Sequence, residues 1–363
     1  MANKAFSLNF IGDTMLGRLI DQMFPQHVYE PEEAEFAQSF LSSEPGSKRF
    51  EPETPWGNVL PLLHSADLNL LNLETSATTH PDKWPNKVFN YRMHPSNIAA
   101  LTAAKIDYAT LANNHTLDFC EPGLLETVRT VRQAGVAFAG AGESKDEASQ
   151  PAVLTLKGSK KEHAIHVWAA SDHPADWADV ATFNFLDYSQ EKKDELKSLL
   201  SRPSSKDASL RIFSVHWGPN YSWQPSKEIR DMAHFLIDEC GIDIIHGHSS
   251  HHVQGVERYQ GKLIIYGCGD FVDDYALNAQ YRNDLSGFWR VNVKETEDKE
   301  RLELSQLEII PTKIEKFQAR RLRSDEADSE WVRGKIKALS REFGTDVQMA
   351  AAGGEGTATV ELL

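Results

Sequence analysis

Cysteine is scarce in this sequence of 363 residues. The three cysteines, Cys120, Cys240 and Cys268, lie far apart, and none belongs to a CxxC motif. This spacing predicts neither a disulfide framework nor a zinc site built from thiolates. Free thiols are typical of a reducing compartment, so we expect a cytoplasmic protein.

Long apolar runs and stripes of basic residues are also missing. No segment predicts a transmembrane helix, and residues 1–13 show no apolar core of a signal peptide. The 53 acidic residues outnumber the 38 basic ones, which gives a formal net charge of −15. Proteins that bind duplex nucleic acid or anionic membranes carry clustered Lys and Arg. We therefore expect a soluble protein with neither partner, and the sequence indicates no particular oligomeric state.

Short apolar runs that alternate with helix-like segments indicate the fold class. Eight runs predict strands, at residues 7–13, 67–74, 106–115, 135–142, 164–172, 210–218, 242–248 and 262–270. Helix-like segments at 94–105, 122–135 and 226–241 lie between several of them. Ser226 is the predicted N-cap of the third segment, and Gly241 is predicted to end it. Strands alternating with helices predict an α/β layered fold.

The pattern changes after residue 287. Three alternating runs there predict antiparallel strands, and a helix-like segment follows at 325–344. We expect residues 1–345 to form a single domain and residues 346–363, which are rich in small side chains, to form a flexible tail. Residues 22–55 are acidic and interrupted by proline, and they predict an insertion that serves as a lid or binding loop.

Polar residues collect at the ends of the apolar runs. In an open α/β sheet, the carboxyl ends of the strands line the crevice where ligands bind, so these side chains are expected to converge. Carboxylates, an amide oxygen and imidazoles together form a ligand set for Mn, Zn or Fe, with Mg or Ca possible where oxygens dominate. One or two such ions activate water in hydrolases. The residues concerned are Asp13, Asn72, Glu74, Asn113, Asn114, His115, Asp118, His216, His246 and His248.

Four histidines occur within seven positions of the stretch IIHGHSSHHVQGV at residues 244–256. A Ser-His-Asp nucleophile is not favoured, because the sequence lacks a GxSxG elbow and the SSHH hydroxyls have no strand-turn-helix context. Delivery of metal ligands by a strand end explains the cluster better.

Five ordered motifs carry a resemblance to a known family. FIGDTMLGR, NLET, LANNHTLDF, SVHWG and IIHGHSSHHVQGVE, followed by YGCGDFVDDY, resemble the CapA family of poly-γ-glutamate capsule-synthesis proteins. That family is related to the calcineurin-like metallophosphatases. The resemblance spans residues 6–320 and implies a layered β-sandwich flanked by helices, as in metallophosphatases.

The resemblance also implies roles for individual residues. Its metal ligands are Asp13, Glu74, Asn114, His216 and His248. His115, oriented by Asp118, is the implied general acid, and His251 completes the histidine motif as a further catalytic residue. His246, His252 and Arg18 remain for contacts with the substrate, since guanidinium pairs with phosphate or carboxylate.

One departure from the metallophosphatase pattern leaves the reaction open. The first phosphatase motif is Asp-x-His, whereas this sequence has Asp13, Thr14 and Met15. The first expectation is a hydrolase acting on a γ-glutamyl amide, a peptide-like substrate or a phosphoester. A non-hydrolytic epimerase or cyclase and a non-catalytic binding protein for polyglutamate assembly are the alternatives.

Overall fold

The computed structural model describes residues 3–44, 48–202, 207–349 and 356–363. The helices within these ranges are α1 (Arg18–Met23), α2 (Pro31–Ser43), α3 (Leu60–His64), α4 (Ala99–Ala103), α5 (Cys120–Gln133), α6 (Lys145–Ser149), α7 (Gln190–Leu200), α8 (Lys227–Asp238) and α9 (Ala327–Arg341). Short 3-10 helices span Thr54–Val59, Pro95–Ile98 and Ala175–Trp177. Among the described residues, no helix has the length and apolar character needed to cross a membrane.

The larger sheet has a parallel part and an antiparallel part. Its strand order is β17-β18-β15-β14-β1-β2-β5-β6, with β13 paired to β1 and β16 to β15. Strands β1, β2, β5 and β6 are parallel, whereas β14 and β15 add antiparallel to β1. The bounds are β1 (Ala5–Thr14), β2 (Leu68–Leu73), β5 (Tyr108–Thr110), β6 (Ala137–Ala139), β13 (Asp270–Val272), β14 (Leu285–Glu295), β15 (Leu302–Glu315), β16 (Gln318–Arg321), β17 (Gln348–Met349) and β18 (Ala358–Glu361).

A second sheet of six strands has the order β11-β12-β10-β9-β8-β7. Its inner strands β8, β9, β10 and β12 are parallel, and its edge strands are antiparallel to their neighbours. The bounds are β7 (Ala152–Lys157), β8 (Glu162–Ser171), β9 (Leu210–His216), β10 (Ile244–His248), β11 (Val256–Tyr259) and β12 (Lys262–Ile265). Strands β3 (Ser76–Ala77) and β4 (Arg92–Met93) form a separate pair.

The two large sheets pack face to face. The Thr110 hydroxyl of one sheet lies 2.6 Å from the Ser214 hydroxyl of the other, and one apolar core contains residues of both. A second apolar cluster lies between the six-stranded sheet and helices α7 and α8. The expected α/β sandwich flanked by helices is therefore confirmed.

The close approach of β13 to β1 fixes the end of β1. A Cβ atom on Gly12 would lie 1.8 Å from the Gly269 carbonyl oxygen, so only glycine fits. The register of β1 against β2 shifts between Ile11 and Asp13. This shift, together with the glycine contact, positions the Asp13 side chain at the carboxyl end of the sheet.

Several sequence expectations are confirmed and others are corrected. Ser226 caps α8 by accepting a hydrogen bond from the Ile229 amide, and Gly241 has a φ of 69° just beyond that helix. The run at 262–270 contains two strands rather than one, because β12 ends at Ile265 and β13 starts at Asp270. The predicted insertion contains α2, whose Phe40 ring lies 5.1 Å from Phe317. Its role as a lid stays a prediction.

The expectation of a flexible tail is wrong for the described part of residues 346–363. Strand β18 pairs with β15, and β17 pairs with β18. Val360 is buried in this addition to the sheet, so apolar burial and ladder hydrogen bonds hold the segment in place. Residues 350–355 lie outside the described residues.

We expect Val360→Ala to lower the free energy of unfolding by about 2 kcal/mol, because it removes buried methyl groups. Thr359 points away from this core and is half-buried, so Thr359→Ala is the matched control and is expected to change stability by under about 0.5 kcal/mol. Denaturant unfolding of both variants measures the difference. Equal stability of the two variants would contradict a packed tail.

Candidate metal centre

Strands from both sheets deliver the polar cluster to one end of the sandwich. Asp13 lies at the end of β1, and Glu74 directly follows β2. His216 and His248 are the last residues of β9 and β10, and they pair in register. The cluster therefore forms because parallel strands of two packed sheets end at the same level.

A first group of possible metal ligands comprises Asp13, His216 and His248. One ring nitrogen of each histidine lies 3.9 Å from Asp13 Oδ1. The Nδ1 atoms of His216 and His248 lie 2.9 Å apart. All three side chains are buried.

A second group comprises Asp13, Glu74, His251 and Asp270. His251 Nδ1 lies 2.8 Å from Asp270 Oδ1 and 3.8 Å from Asp13 Oδ2, and its Nε2 lies 3.9 Å from Glu74 Oε1. Glu74 Oε1 also lies 3.9 Å from His216 Nε2. Both Asp13 and Glu74 therefore connect the two groups, and Asp13 belongs to both.

Several buried atoms of this cluster have no hydrogen-bond partner in the described part of the chain. They are both carboxylate oxygens of Glu74, Asp270 Oδ2, His216 Nε2 and Asn114 Oδ1. A buried polar atom without a partner costs about 1–3 kcal/mol. Oxygen and imidazole nitrogen are donors that divalent ions accept, so the residues present fit one or two such ions.

Burial shapes the charges of the cluster. Burial, followed by the nearby Asp13 carboxylate, holds the pKa of Glu74 and of Asp270 well above its usual range. Burial and neighbouring imidazoles hold the pKa of His216 and of His248 well below theirs. The metal-free centre therefore favours neutral side chains, and a bound cation would reverse this preference for the carboxylates.

His115 and Asp118 form a buried pair beside the cluster. His115 Nδ1 lies 2.6 Å from Asp118 Oδ2, and Lys87 Nζ lies 2.7 Å from Asp118 Oδ1. The His115 ring stacks on Tyr91, with ring centroids 4.0 Å apart. Since the carboxylate accepts the proton of Nδ1, Nε2 of His115 carries a lone pair. Burial lowers the pKa of His115 to about 4, so the imidazole is neutral at pH 7.

Asn113 and Asn114 have different environments. Asn113 Nδ2 donates to Asn72 Oδ1 and to the Leu73 carbonyl, and its Oδ1 accepts from the His115 amide. These bonds hold the turn after β5. Asn114 Oδ1 is one of the unpartnered buried atoms, and its role as a ligand stays a prediction.

One of the three expected substrate contacts lies away from the site, and the other two lie at its edge. His246 is buried between the sheets, where Nε2 lies 3.0 Å from the Ile11 carbonyl and Nδ1 lies 3.0 Å from the Ser214 hydroxyl. It is a structural residue because both ring nitrogens are used there. Arg18 lies 3.5 Å from Asp274 and 3.8 Å from Glu33 of α2, so it connects the insertion to the rim of the site. His252 lies next to the cluster among aromatic rings.

Sequence reasoning missed two residues of the site. Asp270 is buried against His251. The signal was its place at the end of the run KLIIYGCGD. His173 pairs with Asp172, and its ring lies 5.0 Å from His216. The Met15 sulfur accepts a hydrogen bond from the Gly17 amide.

Comparison with known proteins identifies the family. The family model described as bacterial capsule synthesis protein PGA_cap matches residues 7–275. The chain belongs to this family. A probable polyglutamine synthesis accessory protein of Mycobacterium tuberculosis is 33% identical over 366 residues, which cover 93% of this chain and 91% of that protein. The capsule biosynthesis protein CapA of Bacillus anthracis is 24% identical, over 75% of this chain and 61% of CapA. The expected CapA-type family is confirmed.

A solved structure titled as a calcineurin-like phosphoesterase from Bacillus subtilis is also similar to this PGA_cap chain. The match has 11% sequence identity and a TM-score of 0.48, and it covers 94% of this chain and 98% of that one. At this TM-score the likeness carries no argument about the site or the reaction.

We expect binding of a divalent ion to release protons, because burial raises the pKa of Glu74 and of Asp270 well above the usual range, whereas a carboxylate must be deprotonated to bind the ion. The lowered pKa of His216 and of His248 keeps both imidazoles neutral, so they release none. The apparent affinity for the ion should therefore rise with pH. Calorimetric titration with Mn²⁺ in two buffers of different ionisation enthalpy measures the release, and Glu74→Gln should reduce it. The same heat in both buffers would contradict this assignment.

Proposed function

We propose that this PGA_cap protein is a metal-dependent hydrolase. The proposal rests on the two groups of possible metal ligands, which share Asp13. Both groups contain buried oxygen or nitrogen atoms that have no hydrogen-bond partner among the described residues. A purely structural cluster would satisfy these atoms within the protein. An open set of ligand atoms at the carboxyl ends of strands instead suits ions that meet a substrate.

The proposed ligands extend the set that the sequence indicated. They are Asp13, Glu74, Asn114, His216 and His248, to which the geometry adds His251 and Asp270. Divalent ions held there would supply a nucleophilic water at neutral pH and polarise the phosphoryl or carbonyl oxygen. Mn, Zn or Fe suits the mixed nitrogen and oxygen donors, and Mg or Ca suits the oxygen-rich second group.

His115 is the proposed proton-transfer residue. Asp118 accepts the hydrogen bond from Nδ1 and thereby fixes the ring, while Lys87 and the Tyr91 amide hold Asp118. Nε2 is left to exchange a proton with the reacting group. To act as the general acid, the imidazole must first take up a proton, which an anionic substrate at the centre would favour by raising the pKa of His115.

The names of the relatives suggest the substrate class. One relative is named for polyglutamine synthesis and another for capsule biosynthesis, so we propose an anionic, peptide-like amide of glutamate as the first substrate to test. A phosphoester is the second, because metal centres of this composition serve phosphoryl transfer as well. A non-catalytic binding protein has less need of the His115–Asp118 pair. Nothing in the comparisons supports an epimerase or cyclase.

We expect His115→Gln to lower kcat by about 10²- to 10⁴-fold, because it removes proton transfer. The bound metal should remain, since His115 belongs to neither ligand group. Hydrolysis of γ-linked glutamate oligomers and of aryl phosphates, with metal content measured in parallel, checks both statements.

His64→Gln is the matched control for this experiment. His64 is an exposed histidine whose ring binds the Ala103 carbonyl, outside both ligand groups, and its replacement should leave kcat unchanged. Full activity of His115→Gln would contradict the proposed role of His115 in proton transfer. Loss of metal from that variant would instead make His115 a ligand.

A further inference from the structure

Aromatic side chains form a continuous row that leads away from the metal centre. The Tyr221 ring lies 6.1 Å from His251 and 5.4 Å from Tyr281. Trp223 lies 4.8 Å from Tyr281 and 6.3 Å from Trp331 of α9. These four rings are half-buried, so each one leaves part of its surface to solvent. We call Tyr221, Tyr281, Trp223 and Trp331 the aromatic row.

The backbone beneath the row adopts conformations that side chains other than glycine avoid. The φ angles are 63° at Tyr221, 52° at Arg282 and 60° at His251. Such positions are concentrated at functional sites, where the surrounding structure holds them in place. The surrounding structure therefore holds these rings in place at a local cost in backbone conformational energy.

His252 provides an unused hydrogen-bond acceptor among the rings. Its ring lies 4.6 Å from Trp223 and 4.7 Å from Tyr281, and Nδ1 lies 3.0 Å from the Val253 carbonyl. Because a carbonyl only accepts, Nδ1 carries the proton and Nε2 carries a lone pair. Nε2 is buried and unpartnered, and the nearby Ser222 carbonyl already accepts from Gln254 at 2.7 Å. A ligand with an N–H or O–H group would satisfy it.

Lys335 of α9 marks the outer end of the row. Its Nζ lies 4.1 Å from the Trp223 ring centroid and 5.5 Å from that of Trp331. Cation–π contacts fix this ammonium without neutralising it, since no carboxylate of the described chain lies within ion-pair distance of Nζ. The charge is therefore available for an acidic group of a ligand.

We propose that the aromatic row, His252 and Lys335 form a subsite for an extended chain of secondary amides that carries acidic groups. Planar amides stack on the rings, one amide N–H donates to His252 Nε2, and one carboxylate pairs with Lys335. Successive ring centroids in the row lie 4.8–6.3 Å apart, so the four rings offer more length than a single planar ring covers, and the row suits a chain better. This subsite deepens the proposed function and rests on it for the identity of the scissile bond.

The test measures binding separately from turnover. The probe is a γ-linked glutamate pentamer, titrated by calorimetry into metal-loaded His115→Gln protein, which should bind without cleaving it. A second probe is the same pentamer with every amide N-methylated, which removes the N–H donors and keeps the carboxylates. AMP serves as a third probe, because it offers one planar base and an anionic group but no chain of amides.

We expect the pentamer to bind about fivefold more weakly after His252→Phe, which keeps the ring and removes the acceptor. His252→Gln, which keeps an acceptor, should restore part of the affinity. The N-methylated pentamer should bind about fivefold more weakly than the pentamer and should show no further loss with His252→Phe. Lys335→Met should weaken binding by about threefold or more and reduce its dependence on salt. Lys337→Met, on an exposed position of the same helix, should have no effect.

Three results would overturn the subsite. They are equal affinity for the two pentamers, unchanged affinity in both His252→Phe and Lys335→Met, and binding of AMP without binding of the pentamer. Binding of the pentamer by wild-type protein that never cleaves it would refute hydrolysis of γ-glutamyl amides and leave the subsite standing. Cleavage of the pentamer by wild-type protein, with no effect of the His252 and Lys335 variants on its binding, would support the proposed hydrolysis and refute the subsite.

Discussion

The carboxylate of Asp13 is the interaction on which the rest of the site depends. It is buried, it approaches three histidines at 3.8–3.9 Å, and it belongs to both groups of possible ligands. Asn72 Nδ2 donates a hydrogen bond to Oδ1 of this carboxylate, and the Ser249 amide donates one to Oδ2. These two neutral donors orient the carboxylate but leave its charge uncompensated. A divalent ion at the proposed centre would balance that charge.

The fold places this carboxylate with little freedom. Gly12 lets β13 approach β1, and the adjacent register of β9 and β10 brings His216 beside His248. The short parallel strand β5 then ends just before the turn that presents Asn114 and His115. A layered sandwich with parallel inner strands thus brings together possible ligands from residues as far apart in sequence as Asp13 and Asp270.

Much of the fold and part of the site could be predicted from sequence. The alternation of strand and helix, the antiparallel strands after residue 287 and the convergence of strand ends follow from local patterns. The difference between His246 and His248 does not, because side chains two residues apart on a strand share a face. Only the packing of the second sheet against the Ile11 carbonyl shows that His246 lies too deep to reach the centre.

The remaining features of the site and of the tail depend on loop geometry and on long-range strand pairing, which local sequence patterns do not reveal. His251 faces the carboxylates because its φ is 60°, which turns the chain so that His252 enters the aromatic row instead. Asp270 joins the centre through the pairing of β13 with β1, which links residues from opposite ends of the sequence. The pairing of β18 with β15 is likewise long-range, and small residues in the tail gave no local signal for it. The cytoplasmic location and the lack of nucleic-acid partners stay predictions from composition.

Metal content is the most direct test of the account. Protein purified without chelator or added metal, then reconstituted with Mn, Zn, Fe or Ca, is measured by elemental mass spectrometry beside two variants. The account predicts about two equivalents in the wild type, about one in His248→Ala and almost none in Asp13→Ala, because Asp13 belongs to both groups. No metal in the wild type under any condition, or full metal content in Asp13→Ala, would contradict it.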